Sequence, residues 1–158
     1  RLKIGDSMGF DGPYGMAYLR EDAPRDILCL AGGSGLSPMV SIARAAAASE
    51  ALKGRSIHFV YGGRTPRDVC GHTMLEELAG YGERIHYHAA ISMPDDPSAA
   101  GWSGETGFVH DVAEKLFGES LSQFEVYFAG PPLMAQAVTK MLIKSKVPGT
   151  QMPFDQFY

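Results

Sequence analysis

Cysteine is scarce in this sequence: there are two in 158 residues, Cys29 inside an apolar run and Cys70 in a turn. Two thiols cannot ligate an iron–sulfur cluster or build a disulfide framework, so both are expected to be free. Positive charge is not in excess either. The formal net charge is −4 with acids and bases interspersed, which leaves no basic patch of the kind a nucleic-acid binder needs. No apolar run approaches the roughly eighteen residues of a membrane span, and the N-terminus lacks the basic, apolar, small-residue order of a signal peptide. No membrane partner and a cytoplasmic location are therefore expected. No lysine follows the glycine turns as a P-loop requires, which disfavours triphosphate hydrolysis. No tyrosine has a lysine four residues on, which removes the usual catalytic pair of the short-chain dehydrogenases. Residue 1 is Arg1 rather than methionine, as in a fragment or a processed product.

What is present is a hydrophobic content of 45% with 20% charged residues, enough for one globular domain with a full core. Residues 1–22 stand apart. They carry Gly5, Gly9, Gly12 and Gly15 and a Gly-Pro-Tyr-Gly turn, and the polar, proline-broken stretch from Arg20 to Arg25 reads as a linker. From about residue 23 strands and helices alternate. Strands are expected near 27–31, 56–61, 85–91 and 125–129, with a last one at 151–154. Between them fall a helix from Pro38 to Ala48 and one near 73–80 presenting Met74, Leu75 and Leu78. A third, from about 108, has Val109, Val112, Ala113 and Leu116 at helical spacing, and a fourth turns Met134, Ala137, Val138, Met141 and Leu142 to one face. Strands joined by helical crossovers imply an α/β fold, a doubly wound parallel sheet of about five strands. The long loop after the third strand is expected to carry the chain across the sheet.

Two of the strands run straight into glycine turns: 27–31 into Gly32-Gly33-Ser34-Gly35, and 126–129 into Gly130-Pro131-Pro132. A short parallel strand ending in glycine lets the backbone turn sharply and approach a ligand closely. Ser37 is the expected N-cap of the following helix, with Pro38 at its first helical position, so that free N–H groups and the positive end of the helix dipole face the turn. Such a turn attracts phosphate, and a β-branched residue at Gly35 is expected to block a pyrophosphate. If the two strands are neighbours where the winding reverses, both turns open into one crevice. Taken alone, Gly33-x-Gly35-x-x-Pro38 lacks the third glycine of the full dinucleotide fingerprint, and a structural turn needing positive φ is the lesser alternative.

Other residues invite sharper readings. Arg64 and Arg67 follow the second strand, where two arginines would suit a 2′-phosphate; alternatively Arg64 stacks on adenine while Arg67 pairs with Asp68 in solvent. His86 and His88 share one strand face, but no third or fourth ligand is visible at a suitable spacing, so no metal is expected. Trp102 reads as a loop anchor, and Phe59, Tyr61, Tyr87, Tyr127 and Phe128 as core.

Six ordered motifs together resemble the NAD(P)H-binding domain of the ferredoxin–NADP reductase superfamily, most closely that of the reductase components of bacterial aromatic-ring oxygenases. They are Gly12-Pro13-Tyr14-Gly15, the run Ala31 to Met39, the run Tyr61-Gly62-Gly63-Arg64 to Asp68, Trp102-x-Gly104-x-Thr106-Gly107-Phe108-Val109, Ala129-Gly130-Pro131-Pro132-x-Met134, and Phe154 to Tyr158. The resemblance implies that residues 1–22 end a β-barrel FAD domain and that 23–158 bind the nicotinamide nucleotide. It places Gly32, Gly33, Ser34, Gly35, Leu36, Ser37 and Pro38 along the pyrophosphate and nicotinamide ribose, with the Ser34 hydroxyl near the reacting rings. Gly62, Gly63 and Arg64 fall at the adenosine ribose, and Ala129, Gly130, Pro131, Pro132 and Met134 on the opposite wall. Gly12, Pro13, Tyr14 and Gly15 fall on the FAD side, as do Phe157 and Tyr158, of which Phe157 best matches the family's flavin-shielding aromatic; alternatively both rings close the core beside the last strand.

By the same resemblance NADH rather than NADPH delivers a hydride to FAD. Single electrons then pass to a [2Fe–2S] centre, ferredoxin, Rieske protein or oxygenase component. No side chain need act as acid or base, because positioning is the protein's contribution. Two departures stand out: alanine at 129 where the family often has cysteine, and no FAD-holding arginine, tyrosine and serine motif. The competing class is a nucleotide-sensing module with the same sheet and no redox partner. A flavin-binding barrel encoded before Arg1 distinguishes the enzyme from the module.

Overall fold

The computed structural model describes residues 2–12 and 17–154. Four strands coincide with the long apolar runs: β1 (Asp26–Gly32), β2 (Ile57–Gly63), β3 (Ile85–Ile91) and β5 (Phe124–Ala129). β4 (Glu105–Thr106) is a two-residue addition beside Ala90 and Ile91. All pairings are parallel, in the order β4-β3-β2-β1-β5. The chain therefore winds outward from β1 to β4, then returns to place β5 on the other side of β1.

Side chains alternate across a strand, and each face of the sheet takes its own pair of helices. Ile27, Cys29, Phe59 and Tyr127 face α1 (Leu36–Ala48) and Leu75 of α2 (His72–Glu76). Leu28, Leu30, Val60, Val126 and Phe128 face α3 (Val109–Phe117) and α4 (Pro132–Lys144). In α1, Ala43 and Ala46 are fully buried, and their small side chains let the helix lie close to the strands. The segment before β1 is tied to the same scaffold: Arg20 donates its backbone N–H to the Tyr127 hydroxyl at 2.9 Å, and Arg25 meets the buried Glu125 carboxylate at 3.3 Å.

Several sequence expectations are corrected. Ser37 is not an N-cap: Gly33–Gly35 form a 3-10 turn, Gly35 is the cap residue, and Ser37 and Pro38 lie inside the first turn of α1. The helix expected over 73–80 ends at Glu76, and its Met74 is exposed. The expected last strand is instead a 3-10 turn at Gly149–Gln151 followed by one bridge between Phe128 and Phe154. Pro153 breaks that stretch by removing a backbone donor. The fifth strand is β4, fed by the long loop, and α3 makes the crossover. Trp102 anchors this loop, donating its indole N–H to the Glu105 carbonyl at 2.9 Å.

His86 and His88 share their sheet face with His58 of β2, beneath Phe117 and Phe124. The His58 and His86 rings stack at 4.9 Å, and His58 Nδ1 lies 3.5 Å from His88 Nε2. Among the described residues no group of metal-ligating side chains could hold a metal ion. Burial first, and then repulsion from His86 and His88, pushes the His58 imidazole down to about 4, against a smaller opposing pull from Asp26. The unfolded chain, with an ordinary imidazole near pH 6.5, binds that proton first as the solution is acidified. Stability is therefore expected to fall as pH drops from about 6.5 toward 4. Urea midpoints at a series of pH values check this, and His58→Gln should flatten the slope in that window. An unchanged slope in the variant would remove His58 as its source.

Candidate functional site

β1, β2, β3 and β5 all deliver their carboxyl ends to one rim, and the winding reverses there between β1 and β5. A cleft of about 640 Å³ opens at that rim. Gly32 and Gly33 leave β1 into it. Tyr61, Gly62 and Gly63 end β2 beside them, followed by Arg64 and Asp68, and Ser92 follows β3. Gly107, Phe108, Val109 and His110 form one wall at the start of α3. Pro131, Leu133, Met134 and Ala137 form the other on α4. A second depression of about 650 Å³ lies on the α1 side of the same turn, lined by Gly33, Ser34, Leu36, Ser37, Val40, Ser41, Arg44 and Met74. Gly33 is common to both.

The glycines have different reasons to be glycine. Gly33 adopts φ +55°, and a Cβ there would meet nothing within 4 Å, because it would project into open space at the cleft. Gly62 lies under α3, where a Cβ would stand 2.3 Å from Val109 Cγ2. Gly35 lies against β5, where a Cβ would stand 2.0 Å from the Ala129 carbonyl oxygen. A side chain at Gly35 would therefore meet β5 rather than stand in the cleft. Gly35 is buried, and its missing side chain lets the start of α1 pack onto the end of β5.

Of the residues expected along the nucleotide, Gly32, Gly33, Gly62, Gly63, Arg64, Pro131 and Met134 line the main cleft. Ser34, Leu36 and Ser37 line the second depression. Gly35, Pro38, Ala129, Gly130 and Pro132 line neither. Ala129 is core, Gly130 packs under the Met134 sulfur, and Pro132 opens α4. Gly12 lies in an exposed segment without regular structure and lines neither cavity. Pro13, Tyr14, Gly15, Phe157 and Tyr158 lie outside the described residues. Sequence reasoning missed Asp68, Ser92, Phe108, His110 and Leu133 as lining. The signal for Phe108 was available in the Thr106-Gly107-Phe108-Val109 motif, which follows an extended stretch and opens a helix.

Charge at the rim is set by few groups. Arg64, rather than Arg67, pairs with Asp68, at 4.0 Å. The Asp68 carboxylate also accepts from the Thr65 backbone N–H at 2.9 Å and its hydroxyl at 3.2 Å. The Thr65 backbone bond, more than Arg64, holds Asp68 below the ordinary carboxylate range, so it stays ionised. Neither α1 nor α4 has a side-chain cap at its N-terminus, and both begin at the rim, where free N–H groups and the helix dipoles favour an anion. Phe108, Val109, Leu133 and Met134 give the walls an apolar body. The arrangement suits an elongated ligand with phosphates at its middle and planar ends.

The oxidoreductase NAD-binding domain profile matches residues 29–140. The chain is 34% identical over 156 residues to a ferredoxin–NAD(P)(+) reductase, CarAd, of Metapseudomonas resinovorans, covering 99% of this chain and 45% of that protein. It is 31% identical over 159 residues to the reductase component DmpP of phenol 2-monooxygenase from Pseudomonas sp. (strain CF600), covering 100% and 44%. The solved ferredoxin reductase in carbazole 1,9a-dioxygenase superposes with a TM-score of 0.81 at 34% identity, over 92% of this chain and 41% of that one. The chain thus spans under half the length of these relatives, and no helix among the described residues is long and apolar enough to cross a membrane. Sheet order, glycine turns and similarity agree: the chain belongs to the oxidoreductase NAD-binding domain family of the ferredoxin reductase superfamily.

Proposed function

We propose that this chain is the nicotinamide-nucleotide domain of a cytoplasmic NADH-dependent flavoprotein reductase, and that residues 1–22 end a preceding FAD-binding barrel. Single electrons leave this reductase through an iron–sulfur centre or ferredoxin toward an aromatic-ring oxygenase. The carrying observation is that the turns after β1 and β5, at the winding reversal, open into one cleft beside the uncapped N-terminus of α4, while the uncapped N-terminus of α1 borders the second depression across Gly33. The open space at Gly33, which any side chain would occupy, fits a pyrophosphate passing close to the backbone. The run of exposed apolar side chains Leu2, Ile4, Met8 and Phe10 within one short segment before β1 supports a covering domain, as a concentration of exposed apolar surface marks an interaction site.

In this reading Gly33 and Ser34 follow the pyrophosphate and nicotinamide ribose, Pro131 and Met134 form the facing wall, and the Ser34 hydroxyl orients the reacting ring. Bound NADH supplies a hydride that FAD accepts. This chain's residues hold the nucleotide and exclude water; none of them needs to move a proton. Asp68 favours NADH, because its carboxylate can accept from a ribose 2′-hydroxyl and repels a 2′-phosphate.

The test uses the full-length protein. It should retain FAD, and anaerobic NADH should bleach the flavin band; a protein that holds no FAD or is not bleached would overturn the reading. Loss of a charge-assisted bond is worth about 1.5–3 kcal/mol, so Asp68→Ala should shift the NADH/NADPH ratio of kcat/KM toward NADPH by about tenfold or more. Arg64→Ala should lower both about equally. A selective loss with NADPH in Arg64→Ala would show that the guanidinium recognises a 2′-phosphate and that the NADH preference is wrong.

A further inference from the structure

Tyr61 does more than end β2. Its ring is 3% exposed and packs in the core on the α1 face, directly opposite Ala31 in the β1–β2 register. Its hydroxyl reaches out of that core to donate to the Gly33 carbonyl at 3.3 Å. The same carbonyl accepts the Leu36 backbone N–H, so both of its lone-pair directions are engaged. On the other side, the Cys70 thiol donates to the Tyr61 oxygen at 3.2 Å, and the Cys70 carbonyl accepts the Tyr87 hydroxyl at 2.7 Å. With the thiol using the phenol oxygen as acceptor, the phenol proton is left to point at Gly33.

We propose that Tyr61 is a positioning residue for the nucleotide pyrophosphate. By holding the Gly33 carbonyl, it fixes the Gly33–Ser34 peptide plane so that the Ser34 N–H faces outward at the exposed side of the turn. The inference rests on the reading of this cleft as a dinucleotide site. In a planar trans peptide the C=O and N–H point in opposite directions. A carbonyl drawn inward to Tyr61 therefore turns the next N–H toward the side where a phosphate oxygen approaches. Such an anchor is needed because glycine at φ +55° has the greatest freedom to rotate its flanking peptides. A turn that must be ordered anew at each binding event loses affinity to that ordering. The hydroxyl serves only as a neutral donor, and burial, with the Cys70 contact, pushes its ionisation well above the ordinary tyrosine range.

The experiment measures binding of NADH, ADP and adenosine to the full-length protein and its variants by calorimetry. Tyr61→Phe keeps the ring and removes the hydroxyl. It should weaken NADH and ADP about fivefold, the factor expected for one neutral hydrogen bond, and leave adenosine, which has no phosphate, unchanged. Cys70→Ser, which keeps a donor, should match the parent, whereas Cys70→Ala should weaken ADP about twofold. Equal ADP affinity in Tyr61→Phe and the parent, or an equal loss for ADP and adenosine, would overturn the positioning role. If Tyr61→Phe does not fold, the Cys70 pair decides, and equal ADP affinity in Cys70→Ala and Cys70→Ser overturns it. A parent protein that binds neither NADH nor ADP would instead overturn the dinucleotide reading itself.

Discussion

Gly35→Ala is expected to destabilise the fold by about 3–4 kcal/mol, lowering the melting temperature by about 10 °C. Nucleotide affinity of the molecules that remain folded should be left nearly intact. The added Cβ would stand 2.0 Å from the Ala129 oxygen, 2.3 Å from its carbonyl carbon and 2.8 Å from the Gly130 nitrogen. All three are backbone atoms, two at the last residue of β5 and one in the turn that follows, so no side chain can rotate away, and relief requires α1 and β5 to separate. Their contact joins the core on the α1 face, and close-packed interiors transmit such a shift. Thermal melts with ADP titrations of the folded fraction separate the two effects. A Gly35→Ala protein that melts like the parent but loses nucleotide would restore Gly35 to the ligand.

Gly33→Val should do the opposite. Positive φ in a β-branched residue costs about 1–2 kcal/mol, a modest loss of stability. The new side chain would stand in the open space at the cleft, where nothing in the protein lies within 4 Å. ADP affinity should therefore fall about a hundredfold, or about 2.7 kcal/mol, well beyond the loss in stability. A folded Gly33→Val variant that binds ADP like the parent would show that the pyrophosphate does not pass this turn. The pair of substitutions, two residues apart, assigns one glycine to the fold and the other to the ligand.

Why part of this was legible in the sequence follows from the kind of signal each element carries. Strands buried on both faces need continuous apolar runs, so Ile27 to Ala31 and Val126 to Ala129 announce themselves. Glu105 and Thr106 do not: a two-residue polar edge strand has no period to detect. Met152, Pro153 and Phe154 misled because apolar content mimics a strand even where proline forbids a continuous ladder. The start of α1 was misplaced because Ser37-Pro38 has a capping composition, whereas the chain enters the helix through a 3-10 turn. In the site, the glycines at strand ends were legible from local order. Phe108, His110 and Leu133 reach the cleft only through packing of α3 and α4 on the sheet, and nothing local says which helix side faces a ligand. The packing role of Gly35 was hidden for a related reason, since sequence shows that a side chain is absent but not what fills its room.

The placement of β5 beside β1 has a consequence for the order in which the molecule becomes competent. The Arg25–Glu125 contact already joins residues 100 apart in sequence, and the second wall of the cleft is made still later, by α4. At synthesis rates of about 5–20 residues per second, the first glycine turn leaves the ribosome several seconds before its counterpart exists. During that interval one long flank of β1 is an unpaired parallel edge carrying Leu28, Cys29 and Leu30, the kind of surface that joins to other chains. Pairing across so long a loop is slow. Nucleotide binding is then a late event that reports closure of the whole sheet, and cofactor in the surrounding medium pulls the final step of folding toward completion by mass action.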